Sequence, residues 1–325
     1  MEEILKAESI QKYFPIKGGF RKPGSWLKAV DGVSFEVKRD AVFALVGESG
    51  CGKSTVARMI MKLLPLSGGK IFFKGKDITT IRGEELKRFR RSVQIIFQDP
   101  FASLNPRMRI ADTLSEPFII HKTVPSREIR DRVVQLLEKV GLTADALGRY
   151  PHEFSGGQRQ RICIARALAL SPELIVADEP LSALDVSIQA QIVNLLQDIR
   201  RETGISLVFI SHDLKVVHYL SDEVAVMYLG KIVERAKTED LFREPKHPYT
   251  ELLLSSAPKL RYRIPGQVLQ ARRPETGDVP SPIAVPPGCP FHPRCPKRLG
   301  ICDKQAPELK ESGGGRYISC HLYHE

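Results

Sequence analysis

Short apolar runs separated by turn residues recur along the chain and predict a buried parallel sheet. Four of these runs are too short for helices: residues 41–46, 93–97, 174–177 and 206–210. Three further segments predict strands outside these runs: residues 4–13, 33–37 and 68–75. Between about residues 110 and 147 the apolar spacing becomes helical. The pattern therefore indicates an α/β core that carries a helical insertion.

The sequence GESGCGKS at residues 47–54 follows the first buried run and precedes a predicted helix at 55–60. It matches G-x-x-x-x-G-K-[ST], in which glycines and bare amide groups at a helix N-terminus bind phosphate. Lys53 is expected to reach the β- and γ-phosphates, and the Ser54 hydroxyl is expected to hold magnesium. The candidate nucleotide-binding residues of this loop are Gly47, Glu48, Ser49, Gly50, Cys51, Gly52, Lys53, Ser54 and Thr55.

Two later segments place chemically useful groups at the ends of predicted elements. Asp178 and Glu179 end the run at 174–177, where open α/β sheets bind ligands. Asp178 suits magnesium, and Glu179 is a candidate to orient and activate water. Ser155 is a good N-cap for a helix whose first residues are glycines, and the bare amides of such a helix attract an anion.

Two aromatic or imidazole side chains have two possible roles each. Tyr13 either packs at the end of the first strand or stacks on a purine. His212 follows the run at 206–210 and could contact a transferred phosphate, although a histidine at a strand end is more often structural.

Composition narrows the class of protein without naming a function. The 325 residues carry a formal charge of +11, but Lys and Arg are spread along the chain, which does not favour nucleic acid as the partner. No apolar run reaches the 18 residues of a spanning helix, and the N-terminus lacks a signal pattern. The prediction is a cytoplasmic chain whose membrane role, if any, is indirect.

Taken in order, these motifs resemble the ATPase subunit of ATP-binding-cassette (ABC) transporters over about residues 4–250. The resemblance rests on the loop at 47–54, Gln98, the signature at 155–159, Asp178-Glu179, the loop at 182–185 and His212. It implies a P-loop NTPase (RecA-like) core with an antiparallel β subdomain and a helical signature subdomain at about 100–170. Together these would form a nucleotide-binding domain over residues 1–260. Phe154 stands where the commonest signature has leucine, and we expect only its packing to differ.

The resemblance also implies a role for each matching residue. Tyr13 would stack on adenine, Glu179 would be the general base, and His212 would contact the γ-phosphate. Catalysis is thus assigned to Glu179, His212 and Lys53. Magnesium would be held by Ser54, Gln98 and Asp178.

The same resemblance implies a dimer and membrane partners. The signature residues Ser155, Gly156, Gly157 and Gln158 would bind ATP held by the opposite subunit, and Asp185 would lie across that interface. The opposite subunit is either a second copy or a homologue. Two transmembrane permease subunits and, indirectly, an extracytoplasmic substrate-binding protein would complete a transporter with this chain at the cytoplasmic face of the membrane.

The last fifth of the chain, residues 261–325, holds ten prolines and seven glycines. It has too few apolar residues to bury a core easily. Its four cysteines are Cys289, Cys295, Cys302 and Cys320. Four thiolates suit either a 4Fe-4S cluster or tetrahedral zinc. The segments HPYT at 247–250 and CPFHPRC at 289–295 resemble the tails of oligopeptide and dipeptide importers, and this favours the cluster. Loss of one of these cysteines is expected to leave the phosphate loop intact.

Other functions are compatible with parts of this pattern. Importers of nickel share much of the tail, so nickel or another small solute is an alternative substrate. A non-transport ABC ATPase acting on nucleic acid is a second alternative, although the spacing between Gly47 and Ser155, 108 residues, is too short for the coiled-coil repair type. A redox or metal sensor built on the tail is a third.

Overall fold

The structure is a computed structural model that describes residues 2–16, 25–256 and 280–323. Its strands are β1 (Glu3–Ile16), β2 (Ser25–Lys38), β3 (Val42–Val46), β4 (Gly68–Phe73), β5 (Lys76–Asp77), β6 (Val93–Ile96), β7 (Leu174–Asp178), β8 (Ser206–Ile210), β9 (Glu223–Tyr228), β10 (Lys231–Lys237), β11 (Lys310–Glu311) and β12 (Tyr317–Ile318). Its α-helices are α1 (Lys53–Ile60), α2 (Gly83–Ser92), α3 (Ile110–His121), α4 (Ile129–Lys139), α5 (Gly156–Leu168), α6 (Val186–Thr203), α7 (Leu214–Leu220), α8 (Thr238–Arg243) and α9 (Pro248–Ser256). Short 3₁₀ turns lie at Ser126–Glu128, Ala144–Gly148, Pro151–Glu153, His292–Arg294 and His321–Tyr323.

One compact unit comprises Met1–Ile4, Lys38–Ala41 and Thr80–Ile210. In it β6, β7 and β8 are parallel, with Ile96 opposite Ala177 on β7. Every residue of β7 and β8 is buried, as expected for central parallel strands covered on both faces. Parallel strands end at the same edge, so the residues that follow β6 and β7 lie side by side.

The second compact unit comprises Leu5–Val37, Val42–Thr79 and Ser211–Glu325. It contains a sheet of order β2-β1-β4-β5, in which β4 pairs antiparallel with both β1 and β5. A further run of strands has the order β11-β12-β10-β9-β3. The pair β3 and β9 is parallel, whereas the other pairs in this run are antiparallel.

The four buried runs and the helical insertion are confirmed. The runs form β3, β6, β7 and β8, and the insertion forms α3 and α4. The helical spacing of the insertion places Val133, Leu136, Leu137, Val140 and Leu142 on one apolar face; the first four are buried and the last is half-buried.

The surface strands β1 and β2 are longer than the sequence predicts. β1 continues to Ile16 rather than ending at residue 13, and β2 begins at Ser25 rather than at Val33. The first residues of β2 are exposed or half-buried, and a backbone ladder needs no apolar side chains there, so no pattern marks them. β9 and β10 are not among the strands predicted from the sequence. The predicted domain boundary at residue 260 lies outside the described residues.

Candidate nucleotide-binding site

The phosphate loop connects β3 to α1, as the motif requires. Gly47 has φ +151° and Gly52 has φ +109°. A Cβ atom would lie 2.2 Å from the Met227 carbonyl oxygen at Gly47 and 2.1 Å from the Ala29 carbonyl oxygen at Gly52. No side chain fits at either position, because the loop passes directly over the backbone of neighbouring strands.

Lys53 is held inside the curve of this loop. Its ammonium donates hydrogen bonds to the carbonyl oxygens of Gly47, at 2.9 Å, and Glu48, at 3.0 Å, and the residue is only 4% exposed. The Cys51 thiol beside it is buried, which raises the pKa of that thiol although the Lys53 charge opposes the shift. A buried cation in a glycine-rich loop at the start of a helix suits an anionic ligand such as a phosphate group.

Glu48, the second residue of the loop, has partners that sequence analysis missed. Its backbone N–H donates to the hydroxyl of Tyr249 at 3.0 Å. Its carboxylate accepts two hydrogen bonds from Arg294, at 2.9 and 3.0 Å. Arg294 lies between Cys289 and Cys295 in the sequence, so the cysteine-containing tail contacts the phosphate loop directly. The sequence alone predicts no such connection.

Tyr13 has a partner for its hydroxyl and a cation near its aromatic ring. Its hydroxyl donates to Asp31, and the Lys28 ammonium lies 5.5 Å from the ring centroid. Burial, followed by the interaction with Asp31, raises the pKa of Tyr13 to about 12. These contacts fix the ring at the end of β1, and its stacking on adenine stays a prediction.

Gln98 and Glu179 meet at the carboxyl ends of β6 and β7. The side-chain amide of Gln98 donates to a Glu179 carboxylate oxygen at 3.2 Å. Asp178, the last residue of β7, is 4% exposed, as the sequence predicted for an acid delivered by a buried strand. Glu179 has φ +48°, a left-handed conformation that costs free energy in a non-glycine residue. Its backbone N–H donates to the Ile210 carbonyl at 3.0 Å and so helps to hold that conformation.

The predicted signature begins α5 with a capping box. The hydroxyl of Ser155 accepts from the Gln158 N–H at 3.3 Å, and the Gln158 side chain accepts from the Ser155 N–H at 3.0 Å. This confirms Ser155 as the N-cap. Phe154 is buried beneath the guanidinium of Arg149, 4.3 Å from its ring, so a large apolar residue packs here as expected.

Asp185 and His212 lie at other helix or strand ends. Asp185 caps α6 by accepting from the Ile188 N–H at 3.0 Å and from the Ser187 hydroxyl at 2.7 Å. These hydrogen bonds lower the pKa of Asp185. His212 is exposed in the turn after β8. Their roles at a dimer interface and at the γ-phosphate stay predictions.

The four tail cysteines lie in one small module without forming a ligand set. Cys289, Cys302 and Cys320 are buried and Cys295 is half-buried. Burial and, to a smaller extent, the proximity of the other three thiols raise the pKa of Cys289 to about 11, although a hydrogen bond with the Phe291 backbone opposes the shift. Among residues 2–16, 25–256 and 280–323, no group of three or more His, Cys, Asp or Glu side chains is arranged to hold a metal ion. The predicted cluster or zinc site therefore stays a prediction.

His247, in the HPYT segment, is buried and uncharged. Its Nδ1 accepts from the Tyr249 N–H at 3.0 Å, and its ring lies 5.8 Å from that of Phe291. Burial lowers the pKa of His247 to about 3, although a hydrogen bond to the Ser319 backbone opposes the shift. The neutral ring thus joins the tail to the start of α9.

We expect acid to destabilise the protein through His247. A histidine whose pKa is lower in the folded state binds protons preferentially when unfolded, so stability falls as the pH drops from about 6.5 towards about 3. The slope for one such group is roughly 1.4 kcal/mol per pH unit. Thermal unfolding midpoints at two pH values should fall more steeply with acid in the parent than in His247→Gln, which binds no proton. Parallel slopes in the two proteins would contradict this expectation.

Comparison with known proteins gives the family. A family profile described as "ABC transporter" matches residues 30–182, and one described as "Oligopeptide/dipeptide transporter, C-terminal region" matches residues 233–302. The oligopeptide transport ATP-binding protein AppF of Bacillus subtilis (strain 168) is 51% identical over 325 residues, covering 99% of this chain and 98% of that protein. The chain belongs to the ABC transporter family. This confirms the resemblance that the motifs indicated.

Other ABC proteins match over similar lengths. The dipeptide transport ATP-binding protein DppF of Escherichia coli (strain K12) is 44% identical over 319 residues, covering 98% of this chain and 94% of that protein. The solved structure of cbiO1 from Clostridium perfringens, part of the ABC transporter complex cbiONQ, covers 75% of this chain and 92% of its own at a TM-score of 0.65 and 29% identity.

A second solved structure agrees. The ATP-binding cassette MJ0796, dimeric and bound to ADP and phosphate, matches at a TM-score of 0.64 and 27% identity over 72% of this chain and 98% of its own. Together the two structures confirm the predicted fold class, an α/β ABC ATPase of the P-loop NTPase type. No helix in the described part of this ABC protein is long and apolar enough to cross a membrane.

Proposed function

We propose that this chain is the ATP-hydrolysing subunit of an ABC importer of dipeptides or oligopeptides. The observation that carries the proposal is the match to the oligopeptide transport ATP-binding protein AppF, which extends over 99% of the chain and includes the tail. The phosphate loop supports it independently, because Lys53 places a buried positive charge in the glycine-rich loop between β3 and α1.

The chemistry follows from the residues at the strand ends. Lys53 and the loop amides neutralise phosphate charge, and Glu179 orients the attacking water and takes its proton. Ser54, Gln98 and Asp178 offer hydroxyl, amide and carboxylate oxygens, the donor types that Mg²⁺ prefers. When bound, Mg²⁺ neutralises charge on the β- and γ-phosphate oxygens. The hydrogen bond between Gln98 and Glu179 supports this arrangement, because it joins the proposed magnesium ligand to the proposed base.

The remaining site residues belong to a dimer in this proposal. The capped start of α5, Ser155 to Gln158, binds ATP on the opposite subunit, Asp185 lies at the interface, and His212 contacts the γ-phosphate. Tyr13 stacks on the adenine. The dimeric state of MJ0796 with ADP and phosphate supports this arrangement. Two permease subunits dock the dimer at the cytoplasmic face of the membrane, and a substrate-binding protein delivers the peptide.

The four tail cysteines hold a 4Fe-4S cluster in this proposal, with zinc as the alternative. The cluster is supported by the four sulfur donors and by the burial of three of the four thiols. We expect Cys289→Ser or Cys302→Ser, purified without oxygen, to lose the iron and sulfide that the parent carries, about four of each per chain. Cys163→Ala, a buried cysteine of α5, is the control and should retain them.

Metal analysis decides among the outcomes for the tail. Full metal content in both serine variants would reject the four-cysteine site. If the parent contains one zinc and no iron, the site is a structural zinc site and not a cluster. The ATPase proposal would be unaffected.

The function is tested on the assembled transporter. The tagged chain is purified, together with its partners, from the membranes of the cells in which it naturally occurs. ATP hydrolysis is then measured in the presence of a binding protein loaded with a tripeptide or with nickel. The proposal predicts that two membrane subunits copurify and that the tripeptide stimulates hydrolysis. Stimulation by nickel alone would assign the chain to a metal importer. Copurification with nucleic acid in place of membrane subunits would reject transport.

A further inference from the structure

Arg294 and Glu48 form a partly buried ion pair with two hydrogen bonds. Two guanidinium nitrogens of Arg294 each donate to a different oxygen of the Glu48 carboxylate, at 2.9 and 3.0 Å. The Arg294 side chain is 8% exposed and that of Glu48 is 29% exposed. Two parallel hydrogen bonds fix the orientation of a carboxylate as well as its position, and the low exposure limits screening by solvent.

Glu48 is in turn connected to the parts of the loop that face a phosphate. Its N–H donates to Tyr249, and its carbonyl oxygen accepts from the Lys53 ammonium at 3.0 Å and from the Cys51 N–H at 3.3 Å. The side chain, N–H and carbonyl of this one residue are therefore all held. Any shift of Glu48 moves the carbonyl against which Lys53 rests.

Arg294 is itself firmly placed. It ends the 3₁₀ turn His292–Arg294, and its guanidinium lies 5.8 Å from the ring of Phe291 and 5.9 Å from that of Tyr228. These rings pack with Tyr249, and all three aromatic residues are 1% exposed or less. A rigid apolar base of this kind lets a side chain from the tail hold the loop at a fixed distance.

Charge gives the pair a second effect. Glu48 brings a negative carboxylate into a loop that must accept a negative triphosphate, and an unpaired carboxylate there would repel it. Arg294 supplies the matching positive charge from a segment 246 residues away in sequence. Because of this pairing, Glu48 can hold the loop in place and its charge does not weaken the attraction of the loop for phosphate.

We propose that Arg294 is a positioning residue for ATP: from the C-terminal tail it fixes and neutralises Glu48 and thereby holds the phosphate loop and Lys53 ready for the phosphates. This inference rests on the proposed ATP-binding function and adds to it a residue outside every nucleotide-binding motif of the sequence. It makes the folded tail a requirement for tight nucleotide binding.

The test is equilibrium binding of Mg-ADP and of a non-hydrolysable ATP analogue to the full chain, by calorimetry. Arg294→Ala should weaken binding by roughly 10- to 100-fold, because it frees the loop and leaves the Glu48 charge uncompensated. Arg294→Lys keeps the positive charge but cannot make two parallel hydrogen bonds, so it should lose less affinity than Arg294→Ala. Lys297→Ala is the matched control, because it removes an exposed ion pair of the same tail, with Glu251, and should bind as the parent does.

A double variant separates positioning and charge from general damage to the tail. Glu48→Gln combined with Arg294→Ala should bind more tightly than Arg294→Ala alone, because the orphaned carboxylate is gone. Parent-like binding by Arg294→Ala, or a double variant as weak as the single one, would overturn the proposal. Failure of the parent itself to bind nucleotide would instead reject the proposed ATP function, and this inference with it.

Discussion

Glu179→Gln is expected to bind ATP normally and to turn it over about 10²- to 10⁴-fold more slowly, the usual contribution of a general base. The amide is nearly the same size as the carboxylate, so the left-handed backbone and the contact with Gln98 can persist. Only the capacity to take a proton from water is lost. Phosphate release in a single turnover measures the rate, and size-exclusion chromatography with ATP should show a dimer that does not dissociate.

Glu202→Gln is the matched control for this variant. Glu202 is an exposed carboxylate on α6, and its replacement removes the same charge without touching the strand ends. We expect it to hydrolyse ATP at the parent rate. Parent-rate hydrolysis by Glu179→Gln would show that another group activates the water.

Lys53→Ala is expected to weaken ATP binding by at least about 100-fold, in line with the loss of a buried charged hydrogen-bonding partner of the phosphates. The carbonyls of Gly47 and Glu48 would also lose the donor that they now share. Calorimetric titration with Mg-ATP measures the change.

Arg58→Ala is the control for the lysine variant. Arg58 is an exposed residue of the same helix, α1, and its removal takes away one positive charge without entering the loop. It should bind ATP as the parent does. Equal affinity of Lys53→Ala and the parent would contradict the assignment of residues 47–54 as the nucleotide site.

Much of the site could be predicted because its parts are local in sequence. The loop between β3 and α1 needs glycines wherever neighbouring backbone approaches, and that requirement leaves a readable spacing. The capping box of Ser155 and Gln158 spans four residues and is equally readable. Asp178 could be placed because a fully apolar strand leads directly to it.

The missed features depend on contacts between distant segments. Nothing in the sequence near Glu48 indicates that Arg294 and Tyr249 bind it, since these residues lie 246 and 201 positions away along the chain. The HPYT and CPFHPRC segments resemble importer tails, and the structure shows that Tyr249 from the first and Arg294 from the second bind Glu48 of the phosphate loop. The partners of Tyr13 are a similar case. Asp31 and Lys28 lie on β2, and the beginning of that strand has no apolar pattern.

The measurement that tests the central claim most directly is accumulation of a labelled tripeptide by proteoliposomes containing the purified transporter. ATP and Mg²⁺ are enclosed with this subunit, and the binding protein is added outside. The account predicts that the tripeptide accumulates with the parent subunit and does not accumulate when Glu179→Gln replaces it or when ATP is omitted. Accumulation that is unchanged by either condition, or an absence of tripeptide accumulation by a transporter that hydrolyses ATP, would contradict it.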